Sequence, residues 1–163
     1  MRRLQATYPW HIHSQPRRYF EHFHPYLPVV RTRDPNDCYK SGPILFWAVI
    51  VTACRRYAKD ETVFQFLVET ISADVWAGAA QPPLRLTTIN ALLLLIAWPL
   101  PTIRLMTDPS YIFVGIAVNS CLSIGLQTGK GRHPEFTVPW YQLQTTDEEA
   151  TYTWAACNLV SQR

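Results

Sequence analysis

A chain of 163 residues has room for one domain and hardly for two. Hydrophobic residues make up 48% of it and charged residues 17%, which excludes disorder, since disorder needs high charge and few apolar side chains. The net charge of +3 is too mild to mark a nucleic-acid surface.

Proline, at 13 residues, punctuates the chain. Ser14 ahead of Gln15-Pro16 predicts a short helix, because serine caps and proline is tolerated in a first turn. Tyr19, Phe20 and Phe23 would be its buried face, and Pro25 and Pro28 would end it. Residues 26–40 read as a connecting loop, with Pro35-Asn36-Asp37 as a turn cluster. Ser41 and Pro43 repeat the start signal for a helix over about Gly42 to Tyr57. That helix is apolar nearly all round, which predicts a central position.

Asp60 is the expected cap of a third helix, Glu61 to Gly78. Phe64, Leu67, Val68, Ile71 and Val75 form one stripe at helical spacing, while Glu61, Gln65 and Glu69 should face water. Thr87 or Thr88 opens a fourth helix to Trp98, again apolar all round, and Pro99 and Pro101 prevent its continuation. Asp108-Pro109 opens a fifth, to about Gln127, with Asp108 as cap and Pro109 in the first turn. Gly115 lies mid-helix, where glycine costs about 1 kcal/mol against alanine, and is expected to admit a neighbouring backbone. Residues 132–145 look irregular. Thr146 with Glu149 three residues on is a capping-box pattern for a last helix to Arg163. No segment alternates cleanly beside a hairpin turn. The predicted class is all-α, an irregular multi-helix bundle of about six helices.

No constellation of residues points to catalysis. Cys38, Cys54, Cys121 and Cys157 are scattered, without the short spacing of a zinc site, and the last three sit in apolar stretches as small hydrophobes. This usage fits a reducing compartment better than a disulfide framework. His11 with His13, and His22 with His24, are two residues apart, which on a helix aims them at different faces. Ser14, Ser41, Ser110, Ser120 and Ser123 lack a nucleophile-elbow context. Asp147-Glu148-Glu149 suits a helix start. The glycines of Gly125–Gly131 with Lys130 lack the phosphate-loop pattern. Arg2-Arg3, Arg17-Arg18 and Arg55-Arg56 read as solvated faces or helix ends.

A signal peptide is not expected, since the basic start, Met1 to Trp10, has no apolar core. A membrane span needs about 20 mostly apolar residues. Ile44–Cys54 stops at Arg55-Arg56, Ala91–Leu100 is broken by prolines, and Tyr111–Leu126 holds Asn119, Ser120 and Ser123. The three apolar helices nevertheless keep a membrane-associated helical protein as the alternative reading.

Several segments, in order, resemble the regulatory middle homology region of fungal zinc binuclear-cluster transcription factors. Residues 19–30, YFEHFHPYLPVV, are similar to the aromatic helix leading into its "PxLP"; residues 41–54, SGPILFWAVIVTAC, to the following helix. Residues 87–101, TTINALLLLIAWPLP, are similar to the leucine-rich helix that ends in Trp-Pro. Residues 108–126, DPSYIFVGIAVNSCLSIGL, resemble the helix ending in Gly-Leu, and residues 154–160, WAACNLV, the one after it. The match divides the chain into a tail, 1–16, and a partial regulatory domain, 17–163. Gln127 stands where the family usually has histidine.

The resemblance implies a non-catalytic, nuclear role in transcription regulation, with co-regulators or the transcription machinery as partners and room for a small-molecule effector. It assigns no catalytic, metal-binding or DNA-binding residue here. The family's six-cysteine zinc cluster and its heptad linker have no counterpart in the chain, so zinc and direct DNA contact are expected outside it. Ligand-binding residues are not identified, although Trp47, Trp98, Met106 and Phe113 are candidates for lining a cavity. The family's domain continues beyond the last helix, so an incomplete domain is expected, with an exposed apolar patch and self-association.

Overall fold

The computed structural model describes residues 15–55, 61–102, 107–131 and 145–162, the side chains of residues 15 and 61–63 excepted. Among these residues there are seven α-helices and no strand: α1 (Gln15–His22), α2 (Pro35–Ser41), α3 (Pro43–Cys54), α4 (Glu61–Ala79), α5 (Leu86–Ala97), α6 (Ser110–Ser123) and α7 (Asp147–Ser161). A 3-10 turn, Leu126–Thr128, follows α6.

The two helices that are apolar all round occupy the centre. α3 buries every residue from Leu45 to Cys54, and α5 every residue from Ile89 to Ile96. They pack on each other; α1, α2 and α4 flank α3, while α4, α6 and α7 flank α5. A helix with no polar face must be covered on all sides, and this arrangement does so. In α1, Tyr19 and Phe23 are buried and Phe20 is half-buried. The stripe on α4 points inward as its spacing predicts: Leu67, Ile71 and Val75 are buried, Phe64 and Val68 half-buried, and Gln65 and Glu69 exposed.

One helix lies where a loop was expected. The Pro35-Asn36-Asp37 cluster forms the first turn of α2 because Asp34 accepts hydrogen bonds from the Asn36 and Asp37 backbone N–H groups at 2.8 and 3.0 Å. The same residue types serve a turn or a capped helix start, and the following Cys38, buried in the core, selects the helix. α6 ends earlier than predicted, at Ser123, since Gly125 turns left-handed at φ 79°. Its first turn starts one residue late, yet Asp108 still accepts from the Ser110 backbone N–H at 2.9 Å.

The expected backbone approach at Gly115 is not there. Gly115 is exposed on the outer face of α6, and a Cβ added to it would touch nothing. Close approach occurs instead at Gly131, where a Cβ would strike the Thr145 carbonyl. The Gly131 N–H donates to Asp147 at 2.8 Å, tying the end of the glycine loop to the start of α7. That start carries the predicted capping box between Thr146 and Glu149. The expected caps Ser14 and Asp60 lie outside the described residues, as do Met106 and most of the irregular stretch 132–145.

Candidate functional site

Trp47, Trp98 and Phe113 each pack against a different aromatic ring. Trp47 sits edge-on to Phe46 at 5.2 Å, Trp98 edge-on to Phe23 at 5.3 Å, and Phe113 against Trp76 at 4.8 Å. Each fills a different seam of the core. The Trp47 indole N–H and the Thr52 hydroxyl, both buried on α3, have no hydrogen-bond partner among the described residues.

Two polar devices inside the bundle were not visible in the sequence. The first is Asn90, in the middle of buried α5. Its amide donates to the Val29 carbonyl at 3.0 Å and its oxygen accepts from the Thr153 hydroxyl at 2.9 Å, so the post-α1 loop, α5 and α7 meet on one side chain. The second is Arg55, which follows the last turn of α3. Its guanidinium donates to the carbonyls of Trp98 and Pro99 and lies over the Phe64 ring, 5.6 Å from its centre. A cation placed there meets the negative end of α5 as well as that of its own helix. Burial lowers the Arg55 pKa, but the group stays charged in the neutral range.

His24 and the four cysteines take part in packing. His24 shares a hydrogen bond of 2.9 Å with the Val30 carbonyl and packs against Phe20, 4.9 Å between ring centres. Desolvation holds its pKa below the ordinary value, and Arg33 and Arg31 add to this against the opposing pull of the Val30 carbonyl. His22 is exposed at the end of α1, so the pair shares no ligand direction; His11 and His13 are outside the described residues. All four cysteines are free and buried. Burial pushes the Cys38 and Cys54 thiols up to about 11, away from reactivity. The Cys121 thiol hydrogen-bonds to Cys157 where α6 crosses α7, an interaction that raises the Cys121 pKa and lowers that of Cys157. Among the described residues no group of three or more histidine, cysteine or acidic side chains is placed to hold a metal ion. Nor is any described helix long and apolar enough to cross a membrane.

An open space does exist at the surface. A cleft of about 400 Å³ lies where the starts of α3 and α5 meet the end of α4. Gly42 and Gly78 bring the three helices together there, because a Cβ at Gly42 would overlap Thr87 and one at Gly78 would overlap Ile44. Arg85, Gln81, Thr87 and Thr88 supply its polar lining, and Pro82 and Pro83 part of its apolar wall.

Comparison with known proteins gives this helical framework relatives. The fungal specific transcription factor domain matches over residues 17–157. The transcriptional regulatory protein SEF1 of Candida albicans is 33% identical over 136 residues, which is 81% of this chain and 14% of that protein. The putative transcription factor SEF1 of Kluyveromyces lactis is 32% identical over 139 residues, 81% of this chain and 12% of that protein. The regulatory protein LEU3 of Saccharomyces cerevisiae is 28% identical over 156 residues, 86% of this chain and 17% of that protein. The chain thus spans less than a fifth of the length of these relatives. No solved structure matches it. With the family's domain matched from Arg17 to Cys157, across α1 to α7, the chain belongs to the fungal specific transcription factor domain family.

Proposed function

We propose that this chain is a non-catalytic regulatory domain of a fungal transcription factor and acts in the nucleus. The observation that carries the reading is the family match over residues 17–157, supported by relatives whose names describe transcription regulators. Sequence-specific DNA binding, and the zinc it would need, belong to a module outside these residues. The domain works through proteins of the transcription machinery or co-regulators.

The packing suggests how regulation would operate. α3 and α5 form the common core, and each contacts several outer helices. A partner or metabolite that favours one seating of an outer helix shifts the population of the whole bundle, since a close-packed core passes from one arrangement to another rather than deforming smoothly. An activation surface elsewhere in the protein would be hidden or released by that shift.

The test is a reporter assay with a heterologous DNA-binding module and an activation segment, joined with and without residues 17–163. A change in reporter output on including the domain is expected. Equal output from the two fusions, at equal protein level, overturns the reading. A variant disrupting the core, Leu93→Asp, should behave as the fusion without the domain.

A further inference from the structure

The cleft at the α3, α4 and α5 junction contains an arrangement that packing alone does not require. Arg85 is exposed at its edge and, like Arg33 and Lys130, takes part in no ion pair among the described residues. No acidic side chain lines the cleft. The Gln81 amide and the Thr87 and Thr88 hydroxyls also line it without a hydrogen-bond partner among the described residues. Several hydroxyls elsewhere in the fold do find internal acceptors: Thr70 donates to Phe66 at 2.8 Å, Thr128 to Gly125 at 2.7 Å and Thr151 to Asp147 at 2.8 Å. The two helix starts that border the cleft have caps, Gly42 and Arg85, that make no side-chain hydrogen bond, while the Thr88 N–H donates to the Arg85 carbonyl at 2.9 Å and Pro43 carries no N–H. The Gln81, Thr87 and Thr88 side chains can each donate to an oxyanion, as Arg85 can, and all four lie beside an apolar wall of Pro82, Pro83 and Ile44.

The volume suits the purpose. Ligand pockets run from about 300 to 1,000 Å³ and join a mostly apolar lining to a few placed polar groups. At about 400 Å³ this cleft is at the small end. A planar guanidinium pairs with a carboxylate or phosphate through two parallel hydrogen bonds, which a neutral ligand cannot reproduce.

We propose that the cleft binds a small organic oxyanion, a carboxylate or a phosphate monoester. The Arg85 guanidinium is its charge partner, the Thr87 and Thr88 hydroxyls and the Gln81 amide are its hydrogen-bond donors, and the prolines cover its carbon skeleton. Because the lining comes from α3, α4 and α5 together, the bound anion holds three helices in one relative position. The regulatory consequence rests on the role proposed above; the binding does not.

The full 163-residue chain is titrated with succinate, with phenyl phosphate and with neutral succinamide while backbone amide signals are followed by NMR. Saturable shifts at Gly42, Gly78, Thr87 and Thr88 are expected with at least one of the two anions and not with succinamide. The anion that saturates at lower concentration identifies the source of the oxyanion. Arg85→Gln, at an exposed position, should leave the spectrum of the free protein largely unchanged and weaken binding at least tenfold, while Thr87→Val should weaken it severalfold. Equal binding by wild type and Arg85→Gln would mean an adventitious ion only, and it overturns the proposal, as does the absence of saturable shifts in the cleft. If binding holds but the reporter stays indifferent to the domain, the regulatory reading alone falls; if the reporter responds and no anion binds, the cleft alone does.

Discussion

Thr153 donates its hydroxyl to the Asn90 side-chain oxygen at 2.9 Å, in a part of the core where almost every neighbour is apolar. Asn90 passes the connection on to the Val29 carbonyl. Three segments distant in sequence are held in register by one amide. Removing either partner leaves a buried polar group unpaired, at a cost of about 1–3 kcal/mol. Asn90→Leu, which strands both the Val29 carbonyl and the Thr153 hydroxyl, should therefore destabilise more than Thr153→Val, which strands one oxygen. Urea denaturation of the two single variants and the double variant should give a coupling of about 0.5–3 kcal/mol, as for residues in direct contact. Strict additivity would show that the hydrogen bond contributes nothing.

Thr52 presents the opposite case. It is fully buried on α3 and its hydroxyl has no partner among the described residues. Valine has nearly the same shape and no polar atom to desolvate. Thr52→Val is expected to raise stability by about 1 kcal/mol, the penalty of an unmet buried polar group being removed without creating a cavity. A lowered thermal midpoint would indicate that the hydroxyl is satisfied.

The start of α7 should make stability depend on pH. Burial tends to raise the Glu149 pKa, but the Thr146 backbone N–H, the Thr145 and Thr146 hydroxyls and the charge of Arg31 together bring it below the ordinary carboxylate value. A carboxylate with a depressed folded-state pKa contributes stability above its unfolded pKa, about 4.3, and loses that contribution as pH falls through the folded value. Glu149→Gln should flatten the acid side of the stability profile relative to the parent. Thr146→Ala removes the cap hydroxyl and should cost about 0.5–2 kcal/mol at neutral pH. Chemical denaturation between pH 3 and pH 7 checks both.

Two glycines of the same segment should respond oppositely to alanine. Gly115 is helical and exposed, with open space where a Cβ would go, so Gly115→Ala should stabilise α6 by about 0.5–1 kcal/mol. Gly125 has φ 79°, where a Cβ crowds the backbone, and Gly125→Ala should destabilise by about 1–2 kcal/mol. Thermal unfolding of both variants gives the sign directly; two shifts of the same sign would contradict the geometry.

The outer face of α6 also bears on the expected apolar patch. Tyr111, Ile112 and Leu122 are 68%, 38% and 40% exposed, and the segment 109–129 carries no charged residue. They leave apolar surface on the outer face of α6. Gly115, placed on it, takes its meaning from the surface rather than from contacts inside the bundle.

Much of the scaffold was legible because single-helix properties fixed it. Periodicity on α4 names its buried side, unbroken apolarity on α3 and α5 demands a central place, and the Thr146–Glu149 spacing announces a capping box. The missed helix α2 shows the limit, since Pro-Asn-Asp serves a turn and a helix start equally well. The cleft was not legible: Gly42, Gly78 and Arg85 belong to three different segments, and nothing in their local sequence says that the segments converge.

The sequence by itself determined the helical class, the order of every helix but α2 and which of them must be buried, because hydrophobic pattern and capping chemistry are local. Its resemblance to the family also came from local segments kept in order. The tertiary structure alone decided that Asn90 meets Thr153 and Val29, that Arg55 closes the end of α5, and that polar donors gather beside Pro82 and Pro83. Each of these joins residues far apart in the chain. A polar side chain's partner depends on which elements pack against it, and that is a property of the assembled bundle rather than of any one helix.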